Sequence, residues 1–131
     1  MQHSLRLSLI LLVGMGGIIG ATARYTVSSL FAGVDGFPYA TLLVNLIGCF
    51  FLSWLLSSYS LLEKLGKDAV TALGTGVIGS FTTFSTFAVE TIELGQTKVS
   101  LAIFYVLVSI FGSLLLCYIG YKLAVKRRDE S

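Results

Sequence analysis

The 131 residues are 55% hydrophobic and only 12% charged, with a net charge of +2, one proline, 14 glycines and a mean hydropathy of +0.87. Soluble domains carry about 25% charged residues, so this chain cannot assemble a water-facing surface and reads as a membrane protein. With about 20 apolar residues per spanning helix, four spans fit and leave only turns and tails. That excludes a nucleotide-binding engine, a soluble catalytic domain and a fold for a large cofactor, and it leaves so few walls that a pathway calls for a second copy.

The first apolar run covers about residues 7–31 and breaks at Gly33-Val34-Asp35-Gly36-Phe37-Pro38, a turn cluster holding the only proline. Within it Ala21-Thr22-Ala23 has the A-x-A form of a signal-peptidase site. The apolar stretch is nonetheless long for a signal peptide's core of about 7–15 residues, so a retained span is expected. The second run, about 39–59, stops before Glu63-Lys64-Leu65-Gly66-Lys67-Asp68. The third, about 69–94, ends at Gly95-Gln96-Thr97-Lys98. The fourth, about 99–125, closes on Lys126-Arg127-Arg128-Asp129-Glu130-Ser131. Each is expected to be helical, because a lipid-exposed segment must satisfy its own backbone hydrogen bonds. The whole chain, 1–131, reads as a single all-α transmembrane domain without repeats or linkers.

With four spans both termini lie on one side together with the second loop, and that side collects Arg6, Lys64, Lys67, Lys122, Lys126, Arg127 and Arg128 against Arg24 and Lys98. The bias alone favours cytoplasmic termini. Cys49 and Cys117 sit inside apolar runs as small hydrophobes, with no disulfide implied.

Polar residues at depth carry the most information, because each is costly unless paired or facing water. In the second span Thr41, Asn45 and Gly48 share one helical face. The Asn45 amide is either interhelical glue or a donor to something that passes. The third span reads Gly74-Thr75-Gly76-Val77-Ile78-Gly79-Ser80-Phe81-Thr82-Thr83-Phe84-Ser85-Thr86-Phe87. Its glycines and hydroxyl residues have poor helix propensity, so the helix is expected to break near its middle; the bland alternative is a continuous helix whose glycines serve close packing, as Gly16 and Gly20 can in the first span. Phe84 and Phe87 fall on one face, where ring edges, the positive part of the aromatic quadrupole, could meet an anion or simply pack. In the fourth span Tyr105, Ser109 and Ser113 form a hydroxyl stripe, either a polar track or a seam for close helix contact. Glu90 and Glu93 can snorkel to the interface, whereas Arg24 lies deep enough to want a partner. Donors outnumber acids in the spans, which suits an anion path better than a cation path.

At these residues the chain resembles the Fluc/CrcB family of fluoride channels. The resemblance is carried by Gly17-Ile18-Ile19-Gly20-Ala21 with Arg24-Tyr25, by Thr41-Leu42-Leu43-Val44-Asn45-Leu46-Ile47-Gly48-Cys49-Phe50, and by Gly76-Val77-Ile78-Gly79 leading into Thr82-Thr83-Phe84-Ser85-Thr86-Phe87 with Glu90. It implies an antiparallel, dual-topology homodimer of four-helix subunits in a bacterial plasma (inner) membrane, with two fluoride pathways at the subunit interface and neither enzymatic activity nor a nucleic-acid partner. Asn45 would orient pore groups, Phe84 and Phe87 would present ring edges to fluoride, and Tyr105, Ser109 and Ser113 would line a polar track. Thr41, Ser85, Thr86, Glu90 and Arg24 complete the implied pathway. A structural sodium ion at the dimer centre would be held by the backbone carbonyls of Gly79 and Thr82, oxygen ligands of the kind hard cations prefer. The channel would export fluoride passively and confer fluoride resistance. Rival readings are a small dimeric proton-coupled cation or drug exporter using Glu90, and an assembly subunit without transport.

Overall fold

The computed structural model describes the backbone of residues 2–34 and 36–129, with side chains described for 7–34 and 36–126. Asp35 of the turn cluster, and the side chains of Arg6, Arg127, Arg128 and Asp129 with all of Glu130, lie outside the described residues. Six α-helices follow in chain order: α1 (Gln2–Leu30), α2 (Tyr39–Ser57), α3 (Tyr59–Thr71), α4 (Gly79–Phe81), α5 (Phe84–Thr97) and α6 (Val99–Asp129), with a π-helical stretch, Ala72–Ile78, joining α3 to α4. Four stretches are long and apolar enough to cross a membrane: Leu7–Leu30, Tyr39–Ser57, Tyr59–Thr97 and Val99–Lys126. The chain is thus a multi-pass membrane protein.

The third stretch begins at Tyr59 rather than near residue 69, because the acidic and basic residues read from sequence as a loop are helical. A kink at Gly66 (φ 79°, ψ 163°) reconciles the two boundaries. Only glycine adopts that backbone conformation at little cost, and Glu63 and Lys64 on the helix before it are exposed.

The broken helix is present. α4 ends at Phe81, Thr82 (φ −80°, ψ 159°) and Thr83 (φ −150°, ψ 121°) are extended, and α5 starts at Phe84. Close packing by glycine, the competing explanation, is also present, one turn earlier. The first half of the third span lies against α1 while α5 lies against α6, and α2 packs most extensively on α6. Along the α1 seam, a Cβ on Gly76 would meet the Val13 carbonyl oxygen at 2.6 Å, one on Gly16 would meet the Ala72 carbonyl oxygen at 2.8 Å, and one on Gly20 would strike the Val77 carbonyl. The glycines are therefore where two backbones touch, and the hydroxyl residues after them are where the helix parts.

Gly20→Ala places a methyl on backbone that cannot swing aside. Overpacking of this kind costs about 1–3 kcal/mol, so the variant is expected to lower the thermal midpoint of the detergent-solubilised protein, read by loss of monodispersity on heating. Gly14→Ala, with open space at its Cβ, is expected to leave that midpoint unchanged.

Candidate functional site

The site is assembled around the break. α2 turns Thr41, Val44 and Gly48 inward, with Asn45 half-buried beside them. From there the Asn45 side chain reaches Thr83: its Nδ2 donates to the Thr83 carbonyl at 2.9 Å, and its Oδ1 accepts from the Thr83 N–H at 2.8 Å. An amide has one donor and one acceptor edge, which matches both backbone groups of a single extended residue. Thr83 Oγ1 in turn accepts from the Thr86 N–H at 3.3 Å and donates to Thr86 Oγ1 at 3.0 Å, the side-chain cap that starts α5. The tie is interhelical glue, applied to the backbone at the break.

Between α2, the break and α6 lies a groove of about 360 Å³. Asn45, Phe84, Phe87, Ser109 and Ser113 line it, together with Leu52 and Ile110, which the sequence did not single out, and Cys49, read there only as a small hydrophobe. The rings of Phe84 and Phe87 are 5.9 Å apart and tilted by 44°. Phe84 is 80% exposed in a single copy, a large apolar surface for a partner or lipid to cover. On the hydroxyl stripe of α6, Tyr105 and Ser109 are buried and Ser113 half-buried. Among the described residues Ser109 Oγ is buried with no hydrogen-bond partner, so a donor remains available on the groove wall.

Beyond Phe87 a second polar cluster follows. Thr41 Oγ1 donates to Glu90 Oε1 at 2.8 Å and Tyr105 OH donates to Glu90 Oε2 at 2.9 Å. Glu90 therefore does not snorkel: hydroxyls from α2 and α6 satisfy one carboxylate oxygen each and draw the group inward. Tyr105 also lies 5.2 Å from Phe87, tilted by 50°, and meets Phe37 edge-on at 5.4 Å, so the cluster and the groove share a wall.

Three sequence candidates belong neither to the groove lining nor to the Glu90 cluster in one copy. Ser85 and Thr86 occupy the first turn of α5 and are engaged with the Thr83 cap. Arg24 on α1 is half-exposed and forms no ion pair or hydrogen bond among the described residues. Sequence periodicity assigns Arg24 to a helix but not to the helix face that meets the break.

The break also bears on Gly79 and Thr82. The N–H that would close a helical turn on the Gly79 carbonyl belongs to Thr83, and it is given to Asn45; the one that would reach the Thr82 carbonyl belongs to Thr86, and it is given to Thr83 Oγ1. Gly79 O receives only the Thr82 hydroxyl, at 3.4 Å. Two carbonyl oxygens released from the backbone ladder are chemically suited to a hard monovalent cation.

Residues 11–121 match the family profile described as CrcB-like protein, Camphor Resistance (CrcB). The chain is similar to the fluoride-specific ion channel FluC 1 of Bacillus cereus, at 46% identity over 86% of this chain and 81% of that protein. It is also similar to the fluoride-specific ion channel FluC of Oceanobacillus iheyensis, at 46% identity over 92% of this chain and 95% of that one. FluC 1 of Desulfitobacterium hafniense is 45% identical over 82% of this chain and 95% of its own.

Asn45→Ala would strand the N–H and C=O of Thr83 in an apolar surrounding, at about 1–3 kcal/mol for each unsatisfied group. Hydrogen–deuterium exchange is expected to show faster exchange of the Thr83 amide while the amides of α6 stay protected. An unchanged rate at Thr83 would show that the tie does not hold the break.

Proposed function

The chain belongs to the CrcB family, and from that premise we propose that it is a fluoride-selective passive channel. The observation that carries this reading is the groove in which Phe84 and Phe87 face the α6 hydroxyl stripe under the Asn45–Thr83 tie. Fluoride leaving water needs hydrogen-bond donors, and the wall offers neutral ones: the unpartnered Ser109 hydroxyl, Ser113 and the Asn45 amide, whose orientation Thr83 fixes. Ring edges carry the positive part of the quadrupole, so Phe84 and Phe87 present favourable electrostatics to an anion while excluding bulk water. Thr41 and Tyr105 supply the continuing donors, already turned toward an anionic oxygen in Glu90. Arg24 would serve as fixed positive charge contributed from α1.

The working unit we propose is an antiparallel, dual-topology homodimer in a bacterial plasma membrane with two pathways. The exposed ring of Phe84 and a groove open on one side support a second copy as the missing wall. The basic bias of the second loop and the C-terminal end runs against dual insertion, so accessibility labelling of cysteines placed at each terminus is the direct check, with both orientations expected. A sodium ion at the dimer centre would be held by the Gly79 and Thr82 carbonyls, and when bound it would compensate the partial negative charge of the backbone oxygens left open at the break. Export needs no energy source, because an inside-negative membrane potential drives an anion outward with about 2.3 kcal/mol per charge per 100 mV. A proton-coupled cation exporter is less well supported, since both oxygens of Glu90 are already engaged.

Protein reconstituted in fluoride-loaded liposomes is expected to release fluoride, followed with a fluoride electrode, while retaining chloride. Chloride leaving as fast would overturn the selectivity. Phe84→Ile and Phe87→Ile keep bulk but remove the quadrupole. With aromatic edge contacts worth about 0.5–1.5 kcal/mol, each is expected to slow efflux by about two- to tenfold.

A further inference from the structure

A second cavity, of about 440 Å³, opens where the α1–α2 turn meets the end of α5; Phe37, Pro38, Glu90, Glu93, Thr97 and Lys98 are on its wall. Glu90 belongs both to this wall and to the cluster with Thr41 and Tyr105. Tyr105 touches Phe87, and Phe87 lines the groove. Side-chain contacts therefore run from the wall of this cavity to the wall of the groove, and in the channel reading the cavity is the mouth of the path at the α1–α2 turn.

The charges at the mouth are arranged unevenly. Glu90 has both oxygens turned to hydroxyl donors. Glu93 and Lys98 are exposed, and among the described residues neither side chain is held in an ion pair. An unpaired carboxylate and an unpaired ammonium at one opening act oppositely on an approaching anion, and a cleft with apolar walls focuses their fields.

We propose that Lys98 and Glu93 set the fluoride concentration at this mouth, Lys98 raising it and Glu93 lowering it, so that the pair tunes entry without touching the ion in the groove. The inference rests on the reading of the chain as a fluoride channel. Exposed charges act through solvent, so their effect follows the Debye length, which falls from about 30 Å at 0.01 M to about 3 Å at 1 M ionic strength. A side chain that merely supported the fold would show no such salt dependence.

The experiment is the initial rate of fluoride efflux from liposomes at fluoride well below saturation, in dilute buffer and again with 1 M potassium gluconate. In dilute buffer, a single unit charge a few ångströms from the ion is expected to change the rate by about two- to fourfold. Lys98→Gln should slow efflux, Glu93→Gln should speed it, and the double variant should return close to the unmodified chain. In 1 M salt all four should converge. The acceleration by Glu93→Gln cannot come from misfolding, which keeps the test decisive even if Lys98→Gln is poorly expressed. Rates unchanged in dilute buffer, or differences that persist in 1 M salt, overturn the inference alone. An unmodified chain that releases no fluoride overturns the channel reading with it.

Discussion

A backbone that comes apart inside a bilayer has no water to fall back on, and every N–H and C=O it frees must find a partner in the protein. Here one side chain meets that demand for both backbone groups of the residue at the break. The Asn45 amide bonds both backbone groups of Thr83, and the Thr83 hydroxyl then caps the helix that carries Phe84, Phe87 and Glu90. Without that exchange the backbone groups of Thr83 would lack partners, and the tie that fixes the direction of α5, with the faces its aromatic rings present, would be lost. The two carbonyls left over at Gly79 and Thr82 are a by-product of the same exchange.

The two halves of the third span answer to different neighbours. α1 holds the first half through glycines that let backbone meet backbone, and α6 holds the second half through side chains. α2 bridges them, with Gly48 pressed against Thr82 and Asn45 bonded to Thr83. The first half is therefore fixed by shape and the second by polar contacts. A rigid base with a polar, directional upper half would hold ring edges in place at the proposed path, where an ångström of play would weaken any contact with a small ion.

Four spans, the break and the hydroxyl stripe on α6 were legible in the sequence, because each follows from local chemistry: apolar length, poor helix propensity, or spacing along one helix. What sequence could not supply was which neighbour each polar group meets. Asn45 and Thr83 are far apart in the chain, and nothing in either residue names the other. Glu90 looked like a snorkelling acid because it lies near a span end beside Glu93; its capture by Thr41 and Tyr105 depends on three helices converging. The helical character of residues 59–68 was hidden by their charges, which suggested a loop rather than a helix kinked at Gly66. Glycine packing and helix breaking were posed as alternatives, yet consecutive parts of one span do each.

An acid beside an anion path looks like a contradiction, and its geometry resolves it. Both Glu90 oxygens are engaged by hydroxyl donors from flanking helices, so the carboxylate holds Thr41 and Tyr105 in place with their O–H groups pointed toward negative charge. Tyr105 is 0% exposed and packed between Phe37 and Phe87, which fixes the distance of its hydroxyl from the groove. In the proposed pathway, an anion arriving at this point would compete with Glu90 for donors that are already oriented. Low charge in the spans and a dense supply of neutral donors thus belong to one design: in the proposed pathway, positive charge on the groove wall itself would bind a small anion too firmly for it to leave, whereas hydroxyls, an amide and ring edges would let it in and release it, with Arg24 kept apart from the groove.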